Sequence, residues 1–80
     1  MINVPPSFYA ERVDASCNMA RFYTIEISHD LFGHLWLERR WGRIGSRGQM
    51  KVEHLQNPEA IAERMEALVR QKTRRGYQPK

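Results

Sequence analysis

Three stretches of alternating side chains, closely spaced and followed by one capped amphipathic segment, constrain this chain more than anything else in it. Across residues 21–28, Tyr23, Ile25 and Ile27 share one side, and Phe22, Thr24, Glu26 and Ser28 share the other. That period of two is the mark of a β-strand. Residues 34–41 repeat it, with Leu35, Leu37, Arg39 and Trp41 opposed to His34, Trp36, Glu38 and Arg40. Residues 49–55 repeat it again, with Met50, Val52 and His54 opposed to Lys51, Glu53 and Leu55. The connections at residues 29–33 and 42–48 are too short for crossover helices, so the strands are predicted to be antiparallel neighbours. Residues 42–45 continue or bend the second strand, with Gly42 a candidate bulge, and residues 46–48 read as the turn. A weaker stretch at residues 9–14 reads as a short edge strand, whose free edge would offer itself to a second copy. Residues 15–18 read as the turn that follows it.

The segment after the third strand is predicted to be a helix. Asn57 is a good N-cap, Pro58 suits the first helical position, and Glu59 puts negative charge in the first turn. Ile61, Met65, Leu68, Val69 and Lys72 fall on one stripe, spaced to face a sheet. Cations crowd the last turn, and Gly76 and Pro79 forbid continuation. The expected fold is therefore α+β: a small twisted antiparallel sheet of three to four strands with one C-terminal helix packed on it. The expected organisation is an irregular lead-in at residues 1–8, one domain over 9–77 and a tail at 78–80. No repeat or low-complexity segment interrupts it.

Eighty residues suit one domain, which buries roughly 60% of its unfolded surface. That leaves little room for an enclosed active site. Cys17 is the only cysteine, so an internal disulfide is impossible and a reducing compartment is expected. The N-terminus lacks a basic region followed by an apolar run, and no stretch approaches the roughly 20 apolar residues of a membrane span. A cytoplasmic protein with access to the nucleoid is the expectation. The helix has Glu59, Glu63 and Glu66 in its first half and suits its own sheet better than a membrane surface.

Catalytic signals are weak. His29, His34 and His54 lie on separate elements without metal-ligand spacing. Glu38 and Glu53 suit cross-strand ion pairs with Arg40 or Lys51 better than acid–base work. Ser28-His29-Asp30 places nucleophile, base and acid side by side, but a triad is a spatial arrangement. No phosphate-binding loop or dinucleotide fingerprint is present. No catalytic residue, cofactor, metal or small-molecule substrate is assigned, and the chain is expected not to be an enzyme.

Charge is more telling. The net charge of +4 is unevenly spread. Residues 39–51 hold five cations and no acid, and residues 70–80 hold five more with no acid. Elsewhere only Arg12, Arg21 and Arg64 stand against all nine acids. Two basic segments in an otherwise acidic chain predict a positive face. Within the first, Trp41 lies among Arg39, Arg40, Arg43, Arg47 and Lys51, beside three glycines. A flat ring next to fixed charge suits sugars, bases and phosphates. The plainer reading is a core tryptophan at a strand end surrounded by solvated arginines. Ser46 and Gln49 are candidates for neutral hydrogen bonds to a backbone. Strand alternation divides Arg39 from Arg40, so one face can use all five cations only if Gly42 re-aims the chain.

Phe22-Tyr23, Trp36, Trp41-Gly42-Arg43-Ile44-Gly45, Gly48-Gln49, Ala60 and Lys72-Thr73-x-x-Gly76-Tyr77 occur in the order and spacing of a WGR domain. The chain resembles that family over roughly residues 9–77. The family occurs in poly(ADP-ribose) polymerases and as short bacterial proteins. The resemblance implies a small twisted sheet crossed by one helix. In the polymerases the module helps to recognise DNA breaks: its tryptophan packs on a sugar at the DNA end, and its arginine contacts neighbouring domains. The resemblance thus implies stacking by Trp41 and a phosphate or partner contact by Arg43. In the polymerases that arginine also helps to relay DNA binding to the catalytic domain; those partner domains are not expected here, so that role is not expected to carry over intact.

Two functions are expected from these residues. The first is a non-catalytic nucleic-acid-binding module, with DNA the expected ligand, using Trp41, Arg43, Arg39, Arg40, Arg47, Lys51 and Gln49. The second is an adaptor in which Trp41 and Arg43 dock a partner protein, since Trp and Arg dominate interface hot spots.

Overall fold

Alternation becomes a five-stranded antiparallel sheet, where three to four strands were expected. The computed structural model describes residues 7–80. In chain order it contains β1 (Ser7–Asp14), a 3-10 turn (Ala15–Cys17), β2 (Met19–His29), β3 (Leu35–Arg43), β4 (Gln49–Leu55), α1 (Pro58–Arg74) and β5 (Gln78–Pro79). The strand order is β4-β3-β2-β1-β5. Of the expected lead-in, residues 1–6 lie outside the described residues, and Ser7 and Phe8 already belong to β1.

The sequence reading needs three corrections. Residues 78–79 are not a loose tail: they pair with Glu11 and Ala10 as a fifth strand. This places β1 inside the sheet rather than at its edge, and β4 is the long edge strand. Pro79 has no N–H to donate, and an outermost strand tolerates that. Gly42 makes no bulge either, because the β2–β3 ladder runs unbroken from Arg21↔Arg43 through Phe22↔Gly42 to His29↔Leu35.

Both faces follow from that register. Tyr23, Ile25, Leu37 and Ala10 lie under α1 and form the core with Met65, Leu68 and Tyr77. Full burial of each large aliphatic among them contributes roughly 1.5–3 kcal/mol. The helix starts where the sequence placed it, with Asn57 Oδ1 accepting from the Ala60 amide at 2.8 Å. Its buried residues Ile61, Met65 and Leu68 belong to the predicted stripe. After the helix, the Tyr77 amide donates to the Lys72 carbonyl at 3.0 Å, and the Lys80 amide donates to the Tyr9 carbonyl at 3.1 Å. These bonds direct the chain back along β1.

The opposite face of the sheet is open except at Phe22. There the segment after β3 curls back, and Phe22 is buried beneath it. Two glycines permit the curl. A Cβ on Gly42 would meet Gly48 Cα at 2.7 Å, and a Cβ on Gly48 would fall 2.1 Å from the Trp41 carbonyl oxygen. Gly48 also has φ +71, a backbone region that side chains disfavour.

Candidate nucleic-acid interface

Trp41 sits on the α1 side of β3, opposite Tyr23 on β2 and Gln49 on β4. It is half-buried and packs against the core, as the plainer reading of this tryptophan expects, with its remaining surface toward solvent. The Arg39 guanidinium lies 5.6 Å from the centre of its ring. Arg39 is also tied down elsewhere. Its Nε is 3.0 Å from Glu53 Oε2, close enough for an ion pair but not aligned for a hydrogen bond. Arg64 on α1 donates to the same carboxylate from Nε at 2.9 Å and Nη2 at 3.1 Å. The Arg64 hydrogen bond, helped by the charge of Arg39, holds the Glu53 carboxyl below its ordinary pKa. Glu53 was expected to pair with Arg40 or Lys51 but pairs with Arg39 and Arg64. Arg40 belongs to the other face, and α1 delivers Arg64 from above.

One row beyond Trp41 the register produces an arrangement that the sequence reading missed. Arg12 on β1 stands directly opposite Arg21 on β2, and Arg21 stands directly opposite Arg43 on β3. Three arginines thus form a line across three neighbouring strands, on the same side as Trp41. Strands lie about 4.8 Å apart, and like charges directly opposed are destabilising. None of the three forms an ion pair among the described residues. Arg43 Nη1 donates to the Asn18 carbonyl at 3.4 Å, a long bond. Counting cations along the chain assigned Arg12 and Arg21 to the acidic remainder. Only the pairing register, applied to all three strands, brings them to Arg43.

Lys72 closes the site from α1. Its Nζ lies 4.6 Å from the Tyr23 ring centre and 5.4 Å from the Tyr77 ring centre. Burial first, and then the charges of Arg75 and Arg39, push the Lys72 ammonium below its ordinary pKa. Burial likewise raises the Tyr23 hydroxyl, which is buried without a hydrogen-bond partner among the described residues. This end of the molecule therefore concentrates positive charge, and Arg12, Arg21, Arg43 and Lys72 have no ion-pair partner among the described residues.

The predicted site residues divide between two faces. Trp41, Arg43, Arg39, Lys51 and Gln49 share the α1 side. Arg40 lies on the open face, where Arg47 joins it from the curl and Arg40 Nη2 reaches Met50 Sδ at 3.5 Å. Ser46 Oγ donates to the Arg43 carbonyl at 2.7 Å, so this hydroxyl is used within the fold. The histidines do not gather around a centre: His34 meets the His54 ring edge-on at 5.2 Å, and Asp30 binds His34. Among the described residues no group of three or more His, Cys, Asp or Glu side chains could hold a metal, and no helix is long and apolar enough to cross a membrane.

The family model of the WGR domain matches residues 7–80. This chain belongs to the WGR family. A curated relative, described as an uncharacterized protein y4dW from Sinorhizobium fredii (strain NBRC 101917 / NGR234), is 48% identical over 80 residues. The match covers all of this chain and 39% of that relative, so the chain spans well under half the relative's length. No solved structure gives a significant match. Within the WGR signature, Trp41 and Arg43 sit on one face two residues apart, and the intervening Gly42 is the residue that Gly48 closes against. The middle letter of the motif is thus explained by backbone contact and the outer two by a shared surface.

Proposed function

We propose that this WGR domain binds nucleic acid, DNA foremost, on the α1 side of its sheet. WGR domains serve as nucleic-acid-binding modules in poly(ADP-ribose) polymerase-like proteins. The observation that carries the reading is the row Arg12–Arg21–Arg43 beside Trp41. Aligned like charges without acid partners cost folding free energy that an aligned polyanion would relieve. In this arrangement the solvent flank of Trp41 stacks on a sugar or base, the three arginines contact phosphates, and Lys72 adds charge from above. Lys51 and Gln49 extend the surface toward the β4 edge. Arg39 is largely neutralised by Glu53, and Arg40 and Arg47 face away. Backbone contacts of this kind are sequence-tolerant and salt-sensitive, with micromolar or weaker affinity at physiological salt typical of non-specific binding.

The test is a titration of tryptophan emission with short blunt duplex, single-stranded DNA and RNA at low and near-physiological salt. It is repeated on Trp41→Phe and Arg21→Ala. Saturable quenching that weakens with salt, falls with Arg21→Ala and changes with Trp41→Phe is the expected result. No response to any nucleic acid at low salt overturns the reading. The exposure of Arg43, held by one long bond, favours a second reading in which Trp41 and Arg43 dock a partner protein. That reading requires binding that survives nuclease and is lost with Arg43→Ala.

A further inference from the structure

The turn between β2 and β3 presents Leu31 at 99% exposure and Phe32 at 83%. Exposed apolar side chains on a loose loop would mean little. This turn is held firmly by the carboxylate of Asp30. Its Oδ1 accepts from the Phe32 amide at 2.8 Å and the His34 amide at 2.9 Å. Its Oδ2 accepts from the Trp36 indole at 3.0 Å and lies 3.2 Å from His34 Nδ1. The backbone adds Gly33 N–H to Asp30 O and Asp30 N–H to His34 O, both at 3.1 Å. The result is a preorganised apolar knob, which loses little conformational entropy when it docks.

Charge decides what the knob can dock into. Residues 29–38 and 55–63 contain no Lys or Arg. They contain Asp30, and also Glu59 and Glu63 on the first turns of α1, which starts at this same end because Leu55 pairs with Leu35. A polyanion or anionic membrane is disfavoured there. An apolar cleft with a cationic rim is favoured.

The chain itself supplies a cleft that is apolar and cationic at one end and acidic at the other. On the open face, Tyr9 and Ile44, each 39% exposed, flank Phe22. Arg40 and Arg47 line the same groove, which holds about 510 Å³. That volume lies within the roughly 300–1,000 Å³ of ordinary ligand clefts. Toward the far end of the groove, Glu26 stands opposite Glu38, a like-charge pair facing solvent. The turn points beyond the strand ends and cannot reach its own groove.

We propose that the Leu31–Phe32 knob of one copy seats in the Tyr9–Phe22–Ile44 groove of a second copy, with Arg40 and Arg47 meeting the acidic turn end. This contact joins two different patches, so it is head-to-tail and builds a ring or an open chain of copies. It leaves the Trp41 side free and is independent of nucleic-acid binding. Sedimentation equilibrium on the nuclease-treated full chain over a wide concentration range tests it. Average mass rising past the dimer is expected. The double variant Leu31→Ser with Phe32→Ser, and the groove variants Ile44→Glu and Arg47→Glu, should each remain monomeric while keeping the native circular dichroism. The knob variant mixed with either groove variant should form a pair that stops at two, because one intact knob meets one intact groove. A monomer at every concentration overturns the proposal. So does a dimer plateau, or assembly indifferent to both kinds of variant.

Discussion

The β2–β3 hairpin ends in two opposite ways. At its turn, one carboxylate satisfies four donors, and the polar groups answer one another within a few residues. At its open end, the register lines up Arg12, Arg21 and Arg43, and none of the three forms an ion pair among the described residues. The turn end leaves apolar surface exposed, and the arginine end leaves charge exposed. The same ladder completes its interactions internally at one end and leaves aligned charge without ion pairs at the other.

The largest effect should come from the backbone contact beneath the arginine end. Gly48→Ala places a methyl 2.1 Å from the Trp41 carbonyl oxygen at a disfavoured φ, so the curl must open and uncover Phe22. Destabilisation of about 3 kcal/mol is expected, read from urea unfolding. Glu53→Gln should come next, costing about 1–3 kcal/mol because Arg39 and Arg64 are left facing each other. The same variant should tighten nucleic-acid binding at low salt, since Arg39 is released beside Trp41. Arg21→Glu tests the row directly. Affinity should fall by at least about tenfold, roughly 1.4 kcal/mol, while the folded protein becomes no less stable. Arg21→Ala should also flatten the salt dependence by about 0.7–0.9 per decade, the contribution of one phosphate contact.

At the other end the controlling variable is pH. The Trp36 indole, with the His34 and Phe32 amides, lowers the Asp30 carboxyl to about 2. The ordinary value is about 3.9. The folded chain thus favours the carboxylate, and the unfolded chain takes up the proton first as pH falls. Asp30's contribution is complete above about pH 4 and is lost as pH drops toward 2. Thermal unfolding across that window should show a steeper decline for the wild type than for Asp30→Asn, which starts lower and stays flatter. The smallest effect belongs to Leu31→Ser: measured in dilute solution, stability should change by less than about 0.5 kcal/mol, because the side chain touches little in its own copy.

Much of the fold could be read from the sequence because each signal was local. Asn57-Pro58 marked the start of α1, and the alternation in β2, β3 and β4 assigned every side chain there to the correct face. Local signals could not reveal β5, since two residues after a helix carry no period, and their pairing depends on where α1 delivers them. Site legibility followed the same division. Trp41 and Arg43 are two apart in the motif and so share a face, whereas Arg12 and Arg21 join them only through hairpin registers set elsewhere. Alternation also told correctly that Arg40 departs from Arg39. The ion pair of Glu53 with Arg64 required the height and rotation of the helix, which no strand pattern encodes.

The line of arginines gives dissolved salt two opposing roles. For the empty protein, added electrolyte screens a self-repulsion built into the folded state and should raise its melting temperature. The Glu53 pairs, being partly buried, are screened less. Under the proposed function, the same electrolyte should weaken a complex with a polyanion and lower its melting temperature. The two melting curves should therefore converge as ionic strength rises, and the point where they meet marks the strength at which this surface no longer distinguishes a bound phosphate chain from free counterions.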